Sequence, residues 1–90
     1  MEVEHKEGQF FLEIEGKKAV LDYTVKDNKM DIFHTFTDPE LRGRGLAEKL
    51  AMAAFEYAEK HNLKIIPTCP YVKDKFLADH KEFEKIVEHW

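Results

Sequence analysis

Cysteine is almost absent from the chain. The only one, Cys69, excludes an intramolecular disulfide and a zinc site built on several thiolates. It fits a reducing compartment. Long apolar runs are missing too, and none approaches the roughly 20 residues of a membrane span. The opening stretch MEVEHKEGQ is charged and lacks the apolar region of a signal peptide. A cytoplasmic protein without a membrane partner is expected. Basic excess is also lacking. Fourteen Lys and Arg face eighteen Asp and Glu, for a net charge of −4. A nucleic-acid backbone calls for the opposite balance, so no nucleic-acid partner is expected. The five histidines show no His-Glu-x-x-His spacing, and no metal site is expected. Low-complexity linkers and internal repeats are absent as well.

What is present describes a folded chain. Of its 90 residues, 43% are hydrophobic and 36% charged, which suits one small domain over 1–90, plausible as a monomer. Gln9–Glu15 places Phe10, Leu12 and Ile14 on one strand face. Lys18–Val25 does the same with Leu21, Tyr23 and Val25. The segments 15–18 (EGKK) and 26–29 (KDNK) read as turns. Met30–Thr37 alternates again, with Met30, Ile32, His34 and Phe36 sharing a face. The period changes after Gly45. Leu46, Leu50, Ala53, Ala54 and Tyr57 then follow helical spacing, widened by Ala47, Ala51 and Ala58. Asn62 is a stop signal. Lys64–Cys69 reads as a fourth strand, weakly paired on one side at Pro67, which has no N–H. Short helices follow over Val72–Ala78 and Glu82–His89, the latter placing Phe83, Ile86, Val87 and Trp90 at core spacing. The order βββαβαα is an α+β fold: a three-strand meander plus a fourth strand, with one long helix against the sheet.

Two of the four glycines lie one residue apart in Arg42-Gly43-Arg44-Gly45, where a strand gives way to a helix. Such a turn leaves backbone N–H groups without partners at the positive end of the helix dipole. Glycine also lets a ligand approach closely. An anion such as a pyrophosphate fits there, with Arg42 and Arg44 adding charge. A plain strand-to-helix turn with solvated arginines is the alternative. No Gly-Lys-Ser/Thr follows, so this is not a Walker loop. The third glycine and the βαβ context of a dinucleotide fingerprint are missing.

Arg42-Gly43-Arg44-Gly45-Leu46-Ala47 resembles the Arg/Gln-x-x-Gly-x-Gly/Ala signature of the GNAT acyltransferase superfamily. With KIIPTCPYV and His80, the likeness extends over about Gln9 to Val87. It is similar to the small single-domain, YidJ-like branch of minimal N-acetyltransferase domains, a truncated GNAT-like fold. That branch often has His-Pro near its end, where this chain has His80-Lys81. Full-length members carry an N-terminal strand and helices that wall the acceptor site, which are not expected here.

The resemblance implies acetyl-CoA as cosubstrate. Its pyrophosphate would lie on Arg42, Gly43, Arg44, Gly45, Leu46 and Ala47. Its pantetheine would lie between Ile32–Thr37 and Ile65–Cys69, with backbone N–H groups of Thr35, Phe36 and Thr37 as donors. His34 and Cys69 match the branch's catalytic pair. His34 is a candidate general base, since histidine titrates near neutrality; a packed histidine is the alternative. Cys69 is a candidate nucleophile or acid, or a small apolar strand-end residue. Tyr71 is a candidate proton donor to the leaving thiolate, or a core residue. His80, Lys73 and Lys75 could contact the adenosine end or be solvated. His5, His61 and His89 stand in charged surroundings and receive no role. The implied activity is transfer of an acetyl group to an amine on a protein or polyamine. The alternatives are a non-catalytic CoA-binding or acyl-CoA-sensing module and a small interaction domain.

Overall fold

In a computed structural model, which describes residues 3–88, five strands form one sheet in the order β1-β2-β3-β4-β5. They are β1 Glu4–Lys6, β2 Gln9–Ile14, β3 Lys17–Lys26, β4 Lys29–Thr37 and β5 Lys64–Pro67. The first four pair antiparallel and β5 joins β4 in parallel. Two tight turns impose the meander. Glu15-Gly16 and Asp27-Asn28 all take positive φ, the geometry of two-residue type I′ hairpins. The strand β1 adds to the four read from the sequence, and it places a short N-terminal strand where none was expected. Three polar residues carry no alternation, so nothing marked them as a strand.

The helix α1, Leu46–Lys60, crosses from β4 to β5 and packs on β2, β3, β4 and β5. A βαβ unit is therefore present after all. Its C-terminus closes by the two hydrogen bonds of a Schellman motif. The Leu63 N–H donates to Ala58 O (2.8 Å) and the Asn62 N–H to Glu59 O (3.3 Å), with Asn62 at φ +57°. The buried stripe is Leu46, Leu50, Ala51, Ala54, Phe55 and Ala58. Phe55, absent from the expected stripe, is fully buried; Ala53 and Tyr57 are only partly so.

After β5 a π-helical turn over Tyr71–Phe76 runs into α2, Leu77–Asp79, and then a 3₁₀ helix, Lys81–Ile86. The two expected helices thus occur as short, mixed helical turns. They are pinned by rings: Phe55 meets Phe76 at 5.0 Å and Phe83 at 5.1 Å between centroids. Val87 bridges Ile65 on the outside of β5. His89 and Trp90 lie outside the described residues. His5, between Glu4 and Lys6, also has aromatic neighbours: its ring stacks on Phe10 at 4.1 Å and bonds the Tyr23 hydroxyl. Burial, reinforced by His61, lowers its pKa. No helix among the described residues is long and apolar enough to cross a membrane.

Candidate active site

The site begins where two parallel strands part. Pairing between β4 and β5 runs from Lys29↔Lys64 to Ile32↔Pro67, and the last bond is Cys69 N–H to Ile32 O at 2.8 Å. The Ile65 carbonyl turns outward to the Glu88 N–H, so Pro67, two residues on, turns its nitrogen to the same outer edge, and its missing N–H weakens that side and not the β4 side. β4 continues to Thr37 with β3 alone as partner. The Asp38 N–H bonds Lys18 O at 3.0 Å, which sets the alternation. His34, Phe36 and Asp38 turn their backbone groups toward β3; Thr35 and Thr37 turn theirs to the open side.

On the helix side of this split lies an open groove of about 470 Å³, lined by Thr35, Thr37, Arg42, Gly43, Gly45 and Tyr71 among others. Gly43 and Gly45 hold φ of +84° and +72°, and a Cβ at either would meet nothing within 4 Å. The left-handed backbone demands glycine there, while the space in front stays open. Gly45 caps α1 without any side-chain bond. The first intrahelical bond is Lys49 N–H to Gly45 O at 3.1 Å, so the N–H groups of Leu46, Ala47 and Glu48 have no intrahelical partner. Glu48 stands three residues past the cap, where a glutamate often reaches back to it. Here its carboxylate instead meets His80 Nε2 at 3.0 Å. That bond, with the carboxylates of Glu48 and Glu82 nearby, raises the His80 pKa against a smaller opposing effect of burial.

Cys69 is buried, 5% exposed, and its Sγ lies 3.4 Å from the Thr35 hydroxyl. Among the described residues no cation or imidazole hydrogen-bonds this thiol. Tyr71 opens the π-helical turn and faces the groove. Burial raises its pKa, helped by Glu48 and Asp79, so it is a neutral phenol at pH 7.

His34 stands on the other face of β4. The β3–β4 register steps from Tyr23↔Ile32 to Asp22↔His34, which makes Phe33 the extra residue of a β-bulge. Alternation is reset there. Met30 and Ile32 point to the core as expected, but His34 and Phe36 turn outward and do not share that face. His34 is 53% exposed, and its Nδ1 lies 2.9 Å from Asp22 Oδ2. Gln9 Nε2 donates to Asp22 Oδ1 at 2.8 Å.

The family model for GCN5-related N-acetyltransferases matches residues 9–86. This chain belongs to that family. Its similarity to the protein NATD1 of Danio rerio is 34% identity, covering 99% of this chain and 86% of the relative. With NATD1 of Gallus gallus it shares 36% identity over 99% of this chain and 84% of the relative. A GCN5-like protein of Staphylococcus aureus, solved by NMR, superposes with a TM-score of 0.76 at 29% identity, covering 99% of this chain and 89% of that one. The fold is thus that of a GNAT enzyme, and acetyl transfer is the family's general activity.

Within this GNAT fold the structure gathers Thr35, Thr37, Arg42, Gly43, Gly45, Leu46, Ala47 and Tyr71 around one groove, with Cys69 just behind Thr35. Arg44 is exposed and outside the lining. So is Phe36, whose N–H faces β3 and whose ring is 45% exposed. Lys75 reaches the groove, whereas Lys73 lines a separate cavity with Pro67 and Leu77. Sequence reasoning passed over Glu48 and Asp79 in the groove, and Gln9 and Asp22 beside His34. The hairpin at Glu15-Gly16 was the available signal for the last pair, since its register places Gln9 opposite Asp22. No cluster of three or more His, Cys, Asp or Glu among the described residues is placed to hold a metal.

Proposed function

We propose that the protein is an acetyl-CoA-dependent N-acetyltransferase, acting as one domain on an amine carried by a protein or polyamine. The observation that carries this reading is the split between β4 and β5, which opens onto two left-handed glycines and an uncapped helix N-terminus. These residues fit the cosubstrate. Arg42 and the N–H groups opening α1 would hold a pyrophosphate, and Lys75 the adenosine phosphate. The Thr35 and Thr37 N–H groups would bind pantetheine amides or the acyl oxygen. Bound acetyl-CoA supplies the activated acyl thioester. The protein's own residues do the rest. His34 accepts the proton of the amine at Nε2, the nitrogen not engaged by Asp22. Tyr71, held neutral, offers a proton on the groove side. Among the described residues no base or cation hydrogen-bonds Cys69 to activate it, which favours direct attack by the amine over an acyl-cysteine.

Titration calorimetry with acetyl-CoA, CoA and desulfo-CoA tests the site. Binding by all three is expected, and no binding by any overturns the reading. Turnover with an amine panel then separates an enzyme from an acyl-CoA-binding module. Arg42→Ala is expected to weaken CoA binding about tenfold, the scale of one charge-assisted hydrogen bond. Arg44→Ala is expected to change it less than about twofold, as for a solvated charge. Equal losses in the two variants would contradict the placement of the phosphate.

CoA affinity should also depend on pH through His80. Its folded pKa lies above the ordinary 6.5. The bond to Glu48 is therefore complete below 6.5 and is lost as pH rises through the raised value. Deprotonation leaves the Glu48 carboxylate unneutralised beside the proposed phosphate site. Affinity is expected to fall across that window, and to fall less in His80→Gln. Calorimetry at pH 6 and pH 8.5 on both proteins measures the difference, which removes the titration of CoA itself. Identical slopes would rule the coupling out.

A further inference from the structure

The outer face of the sheet carries a row of directly opposed residues: Lys6↔Gln9↔Asp22↔His34. We propose that Asp22, itself held by Gln9, is the positioning residue that makes His34 Nε2 the base. The inference rests on the reading of His34 given above and extends it to residues that the family signature does not touch.

An ionised carboxylate can only accept hydrogen bonds. With His34 Nδ1 at 2.9 Å from Asp22 Oδ2, Nδ1 carries the proton in the neutral ring. The lone pair is then on Nε2, away from Asp22. A histidine without such a partner divides its proton between two nitrogens and rotates about two side-chain bonds. Asp22 removes both freedoms. Gln9 does the same for Asp22, because its amide occupies Oδ1 at 2.8 Å and fixes the plane of the carboxylate. Lys6, next in the row, does not compete for Asp22: its ammonium lies over the Phe11 ring, 5.5 Å from the centroid.

The bulge at Phe33 is what brings the pair together. In an unbroken ladder continuing from Tyr23↔Ile32, Asp22 would face Phe33, and His34 would face Leu21 on the core side. One extra residue moves His34 by one place and to the other face. An inserted residue disrupts the ladder locally. The structure retains it at the one point where it sets a histidine against a carboxylate. An exposed ion pair adds little to stability, so the arrangement is better explained by what it does to the imidazole.

The test is Asp22→Ala, with Asp22→Asn as a second variant should the first fold poorly. Nitrogen-15 NMR of the His34 ring reads the tautomer directly. Wild type is expected to hold the proton on Nδ1, and the variants to show a mixture. In steady-state assays kcat is expected to fall about 10- to 100-fold, the scale of a misplaced catalytic group. KM for acetyl-CoA should not move, and Asp22→Glu should recover part of the rate. Gln9→Ala should give a smaller loss in the same direction. An unchanged tautomer and an unchanged kcat in the Asp22 variants overturn the proposal. If His34→Ala loses turnover while Asp22→Ala keeps it, only the positioning role falls. If both keep it, the assignment of His34 as base falls as well.

Discussion

Replacing His34 with alanine is expected to lower kcat about 100- to 1,000-fold, the usual contribution of a general base, and to leave CoA affinity unchanged. The separation follows from geometry. The groove lies on the helix side of β4, and His34 is not among its lining residues. It projects from the opposite face, half-exposed, so its loss opens no cavity. Stability should move by no more than about 0.5 kcal/mol, as for surface substitutions generally. An amine arriving at neutral pH is protonated and cannot attack until a base removes its proton. The open position of the ring permits a further check, because added imidazole can enter the vacated space and restore part of the rate. Measurement of kcat, KM and calorimetric affinity on one preparation decides the matter. Should Cys69→Ala cost more than His34→Ala, the direct-attack reading would give way to an acyl-cysteine.

Much of the groove was legible in the chain because its determinants are local. Glycines at 43 and 45, arginine before them and an amphipathic run after them specify a left-handed turn opening a helix. Pro67 marks one side of β5 as weakly paired by lacking a donor. The two hairpins are equally local: Glu15-Gly16 and Asp27-Asn28 take the backbone that type I′ turns need, and register follows from them. What stayed hidden depends on contacts distant in sequence. The bulge at Phe33 has no glycine to mark it, yet it reverses which face carries His34 and Phe36. The pairing of Glu48 with His80 spans 32 residues and depends on where the C-terminal turns settle. Strand β1 is three polar residues whose conformation is dictated by the β2 edge. In each case a neighbour, not the local sequence, selects the outcome.

The same dependence on distant neighbours makes Phe55→Ala the substitution with the greatest expected effect on stability. Phe55 has no solvent exposure and lies on the flank of α1 that meets Phe76 and Phe83. Truncating a buried phenylalanine typically costs about 3–5 kcal/mol, because lost apolar burial is joined by an unfilled cavity. A domain of this size has little to spare against a usual total of about 5–15 kcal/mol. Thermal or urea unfolding should therefore show either a large drop in midpoint or a chain already partly unfolded at 37 °C. The effect should extend to the groove. Phe76 ends the π-helical turn that begins at Tyr71, and its ring stacks on His80 at 4.4 Å. Tyr71, Lys75, Asp79 and His80 are thus held against the start of α1 by a contact made near that helix's middle. At low temperature, where the variant is still folded, CoA affinity is expected to fall together with stability. Phe83→Leu, which keeps most of the volume, should spare both. A destabilised Phe55→Ala protein that binds CoA as tightly as wild type would mean the C-terminal turns keep their place on α1 without this ring.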